Sequence, residues 1–279
     1  PALVELVQGR QAALDVSFYE RTIGPLALAT ILLVGICPWL AWGGVSSEKL
    51  RRKLLPSALV ALVAAISLVV LGIREPLVLL AGFIGAFVGI SLLTTLCQGT
   101  LARRRGSGEG IPRAFLRSVS SNRRRYGAHI VHLGIVLMAV GVTGSTVYQD
   151  EVQVALAPGE STDVHGYTLE YQDLVSEELP GQESYTAFVD VHRGDRQLEM
   201  LRPKQDYYWN IEQWVTEVAI RSTLKEDLYV ILAGFDESGL ATFRVLVNPL
   251  VVWLWVGGVA LLLGGIMAWW PAASERNVK

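Results

Sequence analysis

Two histidines, His129 and His132, stand three residues apart inside residues 126–149, a stretch with no Asp, Glu, Lys or Arg. An ionisable side chain in apolar surroundings is costly, and where it persists it usually serves a function. Neutral imidazole can give a ring lone pair to a metal while its other nitrogen keeps a hydrogen-bond partner. Spacing i, i+3 places both rings on neighbouring faces of one helix. That suits two ligands on one side of a small metal ion. It does not suit the two axial positions of one haem, because the macrocycle would have to lie between the rings. If a haem is held here, one of the two imidazoles is an axial ligand and the other ligand comes from a different helix. No other charge-free stretch contains a histidine. Of the three methionines, Met138 is on the same segment and Met200 lies outside the apolar stretches, which leaves only Met267 open as a second ligand.

The segments that must carry these residues follow from composition. The chain has 279 residues, 51% hydrophobic and 18% charged, where a soluble domain carries about 25% charged residues. Five windows hold no Asp, Glu, Lys or Arg: 25–47, 54–73, 76–102, 126–149 and 245–273. All 50 charged residues fall outside them. This segregation excludes a soluble globular protein, a disordered chain and a porin-type barrel. A bilayer core takes roughly 20 apolar residues as a helix, and spanning segments must be helical or closed barrels because lipid offers no partner to a free backbone group. The reading is an α-helical polytopic membrane protein with five transmembrane helices, at about 25–44, 55–73, 76–98, 126–147 and 247–270. A net charge of −2 gives no nucleic-acid signature. Cys37 and Cys97 both sit in apolar windows, with no Cys-x-x-Cys and no zinc-ligand spacing.

Charge sets the expected orientation. Residues 48–53, 103–125 and the C-terminal tail hold 14 basic residues against Glu48, Glu109 and Glu275; the opposite side holds 10 basic and 23 acidic residues. Short basic loops stay in the cytoplasm. The N-terminus and the stretch 148–244 are therefore expected outside, and the C-terminus inside. An external N-terminus followed by five spans implies either a preceding membrane segment in a longer parent chain or a first helix that inserts N-terminus-out, helped by Lys49–Lys53. From Tyr126, His129 lies about 4–5 Å and His132 about 9 Å along the helix. His129 is close enough to reach headgroup water; His132 is deeper. Gly82, Gly85, Gly89, Gly134, Gly141, Gly144, Gly257, Gly258, Gly264 and Gly265 read as close helix packing. Trp39, Trp42, Tyr126, Tyr148, Trp253, Trp255, Trp269 and Trp270 read as interfacial anchors.

Residues 148–245 change character. Period-two alternation marks seven strands, at 151–157, 167–173, 185–193, 197–202, 214–221, 227–233 and 242–247, separated by Pro158-Gly159, His165-Gly166, Pro180-Gly181, Gly194-Asp195 and Glu237-Ser238-Gly239. This is an inserted small external all-β domain, a barrel or sandwich, between a membrane domain over 1–147 and a final helix with its tail over 246–279. Its acidity reads as solubility. His165 and His192 read as turn and strand-edge residues, and no nucleophile–base pair or metal cluster stands out.

The stretch Arg123–Arg125-Tyr-Gly-Ala-His-Ile-Val-His-Leu-Gly resembles the haem-ligand helix of the CcmF family, the cytochrome c-type biogenesis proteins of the bacterial haem lyase complex. Three other stretches agree in order and spacing: Asp15–Leu26, Thr216-Glu-Val-Ala-Ile with Glu226-Asp-Leu-Tyr-Val, and Asn248-Pro-Leu-Val-Val-Trp-Leu-Trp-Val-Gly-Gly. Together they run from about residue 15 to 270. The resemblance implies a plasma-membrane protein that takes haem from the chaperone CcmE on the periplasmic side. With CcmH it joins the haem vinyl groups to the Cys-x-x-Cys-His thiols of apocytochrome c. It also implies a resident b-type haem in the membrane, with quinol as an electron source. The family's membrane histidine is followed by Leu or Ile and Gly, which matches His132 over His129. Family members are about twice this length. Their Trp-rich external segment, its two flanking histidines and a second membrane histidine belong to an N-terminal half that this sequence does not show. The expected role is thus a haem lyase component, one ligand of the membrane haem, incomplete without that half. A non-enzymatic scaffold whose β-domain docks partner proteins, with structural histidines, is the alternative. A transporter is disfavoured because no internal repeat or paired broken helices appear.

Overall fold

A computed structural model describes residues 16–36 and 47–270. Helices α1 (Val16–Ile36), α2 (Ser47–Val70), α3 (Pro76–Ser107), α4 (Ile111–Ser121) and α5 (Arg123–Val147) come first. Ten strands follow: β1 (Asp150–Leu156), β2 (Ser161–Val164), β3 (Tyr167–Leu179), β4 (Gln182–Arg193), β5 (Arg196–Leu201), β6 (Lys204–Tyr208), β7 (Gln213–Glu217), β8 (Ala219–Ser222), β9 (Glu226–Phe235) and β10 (Ala241–Pro249). Helix α6 (Val251–Trp269) closes the described chain. By contacts the described residues form two compact units, one up to Val140 together with those from Val256 onward, the other Gly141–Trp255.

In the first unit the local sequence explains the helix limits. Pro76 opens α3 where its missing N–H costs nothing, and Gly108 stops it in the left-handed region at φ 70°, its N–H bonding the Arg104 carbonyl. Helix α3 runs past the apolar window through Arg104 and Arg105, cations that complement the carbonyl end of the helix. Leu28 and Ile31 of α1, Ala61 of α2, Ile84, Phe87, Val88 and Leu92 of α3 and Val136 of α5 share one apolar core.

Three of the described helices, α3, α5 and α6, are long and apolar enough to cross a membrane. The five-helix count is therefore met in part. The apolar part of α1, Thr22–Ile36, ends where the described residues end, and the rest of the first expected span lies outside them, with Cys37, Trp39 and Trp42. The apolar part of α2, Leu54–Val70, has 17 residues, about 25 Å of helix against a core of roughly 30 Å. A turn at Gly72, φ 93°, ends it. Helix α4 was not expected; its charges hide a four-residue apolar spacing in Ile111, Phe115 and Val119.

The second unit holds a β-sandwich. One sheet has the order β1-β10-β9-β8; the other runs β2-β3-β4-β6-β7, with β5 also pairing β4, and every ladder is antiparallel. Alternate residues bury between the sheets: Tyr167, Leu169 and Tyr171 of β3, Ala187, Val189 and Val191 of β4, Leu228, Val230 and Leu232 of β9, and Ala241, Phe243, Val245 and Val247 of β10. Tyr171 meets Phe243 edge-on at 5.2 Å between centroids. The seven expected strands become ten. The 214–221 stretch breaks at Val218 into β7 and β8, which join different sheets, and β2 and β6 are too short and polar to show alternation. Residues 247–249, expected in the last helix, complete β10 by pairing with Leu228, Asp227 and Glu226.

Candidate functional site

Only Asn122 separates α4 from α5, and its N–H bonds the Ser118 carbonyl. Four residues on, Tyr126 is 6% exposed, and its ring meets Phe115 of α4 edge-on at 6.3 Å. A Cβ on Gly99 of α3 would lie 2.7 Å from the Tyr126 hydroxyl. Tyr126 thus packs against α3 and α4. The Nε1 of Trp253 donates to the Leu224 carbonyl at 3.0 Å.

Helix α5 meets two neighbours in the first unit by opposite faces. On one face a Cβ at Gly127 would fall 2.6 Å from the Gly264 carbonyl oxygen of α6, and one at Gly134 would fall 2.6 Å from that of Gly257. The seven-residue spacing on both helices repeats this backbone contact every two turns. The other face carries Val136 and Val140, whose methyl groups lie 3.9 Å from a Cβ built on Gly85 of α3. At 100° per residue His129 and His132 fall on this second face, about half a turn from the glycine seam.

His129 is 6% exposed, and neither of its ring nitrogens finds a hydrogen-bond partner among the described residues. His132 is half-buried, and its Nδ1 is enclosed and unpaired. The stretch of α3 between Gly85 and Gly99 carries the hydroxyls of Ser91 and Thr95, and these bond to the Gly35 and Ser91 carbonyls. An unpaired buried polar atom costs about 1–3 kcal/mol. A metal that accepts an imidazole lone pair removes that cost at the nitrogen it binds. Among the described residues no group of three or more His, Cys, Asp or Glu could hold a metal ion. A single imidazole nitrogen is the kind of donor that a haem iron takes from a helix. Met267 lies instead in a groove with Leu116, Arg123 and Trp270.

The other two histidines sit in the sandwich. His165 occupies the β2–β3 turn at φ 51°, its Nε2 2.8 Å from an Asp150 carboxylate oxygen. His192 lies on β4, 3.8 Å from Glu170.

Comparison with known proteins places the fold. Residues 147–249 match the family model described as the CcmF C-terminal beta-sandwich. The cytochrome c-type biogenesis protein CcmF of Pseudomonas aeruginosa is 26% identical over 274 residues, covering 96% of this chain and 40% of that protein. CcmF of Escherichia coli is 26% identical over 264 residues, 94% of this chain and 38% of that protein. The biogenesis protein ccl1 of Rhodobacter capsulatus is 30% identical over 272 residues, 95% of this chain and 39% of that protein. A solved structure, cytochrome c heme lyase CcmF, superposes with a TM-score of 0.73 at 23% identity over 97% of this chain and 42% of that one. The chain spans about two fifths of the length of these relatives. The chain is thus similar along nearly its whole length to the CcmF cytochrome c-type biogenesis proteins, and its sandwich matches the one described as their C-terminal sandwich.

Proposed function

We propose that this chain is a component of a cytochrome c haem lyase in a bacterial inner membrane, and that His132 supplies one axial ligand of a resident membrane haem b. The observation that carries the reading is the half-buried imidazole of His132 on the apolar α5 face opposite the glycine seam, with Nδ1 enclosed and Nε2 not. A group ligated from another segment can therefore reach Nε2 of His132, whereas both nitrogens of His129 are closed over. The His-Leu-Gly sequence of the resemblance favours the same residue. When bound, such a haem supplies reversible one-electron chemistry, with quinol as the proposed donor.

The protein's own residues hold and orient. Ligation needs a neutral imidazole. Gly127 and Gly134 fix the α5 axis against α6, and Val136 fixes its rotation against α3. The sandwich orients the partner polypeptides, which we take to be CcmE-like and CcmH-like proteins and apocytochrome c. The N-terminal region of the family would bring the second ligand and the substrate-haem site. The sandwich and the N-terminus lie on the periplasmic side and the arginine-rich segment on the cytoplasmic side, on the strength of charge.

The test is an optical spectrum of the protein purified with its partners. A low-spin b-type signal is expected, lost in His132→Ala and kept in His129→Ala. An assembly that remains intact but haem-free in the unaltered protein would favour the scaffold reading instead.

A further inference from the structure

Where α4 meets the end of α6, Leu116, Val119, Ser120, Arg123, Leu263 and Met267 line a groove of about 400 Å³. Its walls are hydrocarbon and thioether, with one guanidinium and one hydroxyl among them. Trp270 also contributes and is 53% exposed; an indole with one apolar and one wet side suits the headgroup level of a bilayer.

Helix α4 has the build of a helix lying in the interface. Ile111 is 51%, Phe115 41% and Leu116 66% exposed, while Ala114 and Ser118 turn inward. Apolar side chains that stay uncovered on a short amphipathic helix beside basic residues belong at the boundary of acyl chains and headgroups. The segment 103–125 carries eight arginines and one acid, Glu109. Glu109 is already engaged by Arg103 and Arg117. The segment therefore has no carboxylate left to offer Arg123 at the groove.

A ligand that satisfies all of these features has an apolar chain and an anionic head. A quinol has the chain without the charge, and a soluble phosphate has the charge without the chain. We propose that the groove is a binding site for an anionic phospholipid of the surrounding bilayer, with an acyl chain along Leu116, Val119, Leu263 and Met267 and the phosphate at Arg123. This site is independent of the haem reading.

The experiment is native mass spectrometry of the full chain, purified with its partners and equilibrated in nanodiscs of equimolar phosphatidylglycerol and phosphatidylcholine. Retention of phosphatidylglycerol over phosphatidylcholine by roughly fivefold is expected, the effect of one arginine on an anionic headgroup. Arg123→Gln should abolish the preference, and Leu263→Trp should reduce retention of both lipids by filling the groove. Arg104→Gln, outside the groove, should change neither. Circular dichroism checks that each variant folds; if Arg123→Gln does not, Arg123→Lys with preference kept and Leu263→Trp with retention lost carry the same decision. Equal retention of the two lipids, an unchanged preference in Arg123→Gln, displacement of lipid by inorganic phosphate alone, or ubiquinone retained in place of lipid would each overturn the proposal.

Discussion

At His129 both ring nitrogens are enclosed without partners, whereas at His132 one is. The two residues should therefore respond differently to replacement by an apolar side chain. His129→Leu removes unpaired polar atoms from an apolar site, so the thermal midpoint of the purified protein should hold or rise, by the equivalent of about 1 kcal/mol. His132→Leu should lower it in any preparation that carries haem, since bound ligand stabilises the state that binds it. A scan of both variants side by side decides. In the sandwich the informative residue is Glu226. Burial pushes its carboxyl up, but the Tyr167 hydroxyl at 2.9 Å, Lys225 and Arg193 outweigh that and hold it below the ordinary carboxylate value. A depressed carboxyl gives stability that is complete above its unfolded value and is lost as the pH falls through its folded value. The β-signal melting temperature should thus drop in acid below about pH 4, and Glu226→Gln should flatten that dependence. Tyr167→Phe should cost about 1–2 kcal/mol at neutral pH.

Among the elements, the α5–α6 pair has the least room. A Cβ at Gly134 meets the Gly257 carbonyl, and a Cβ at Gly257 lies 2.5 Å from the Gly134 carbonyl. Backbone cannot give way as a side-chain tip can. Gly134→Leu or Gly257→Leu should destabilise by about 1–3 kcal/mol or more, as overpacking does, while Gly258→Leu, with nothing within 4 Å, should be tolerated. Resistance to denaturing detergent would rank the three. Glycines of this seam were readable from the sequence as packing positions, save Gly127, which stands beside arginines and so looks like the end of a helix. Strands β3, β4, β9 and β10 were readable because one face is buried along their length. Strands β2 and β6 were not, being too short and polar to show alternation, and the 214–221 stretch was readable as one strand but not as two, since Trp214, Val215 and Ile220 are all exposed and no change of burial marks the break. The histidines stood out because no Asp, Glu, Lys or Arg shares their window. The groove residues did not, because Leu116, Arg123 and Leu263 come together only when α4 folds back as a helix.

For the molecule as a whole, charge separation is the property that fixes sidedness. A cysteine placed at Ser238 in the β9–β10 turn should react with a membrane-impermeant maleimide in intact cells, and one at Ser107 only after permeabilisation. The opposite pattern would invert the orientation proposed above. Strand β1 leaves α5, strand β10 leads into α6, and the two pair directly, Asp150 opposite Val247. The ribosome must therefore make the 103 residues from Tyr148 to Leu250 before α5 meets the helix that seals its glycine face. At roughly 5–20 residues per second, that is a wait on the order of 5–20 s. During that interval the bare stripe of Gly127 and Gly134 faces lipid or a temporary companion, so nascent-chain crosslinking at these two positions should find the insertion machinery there until translation passes Gly264.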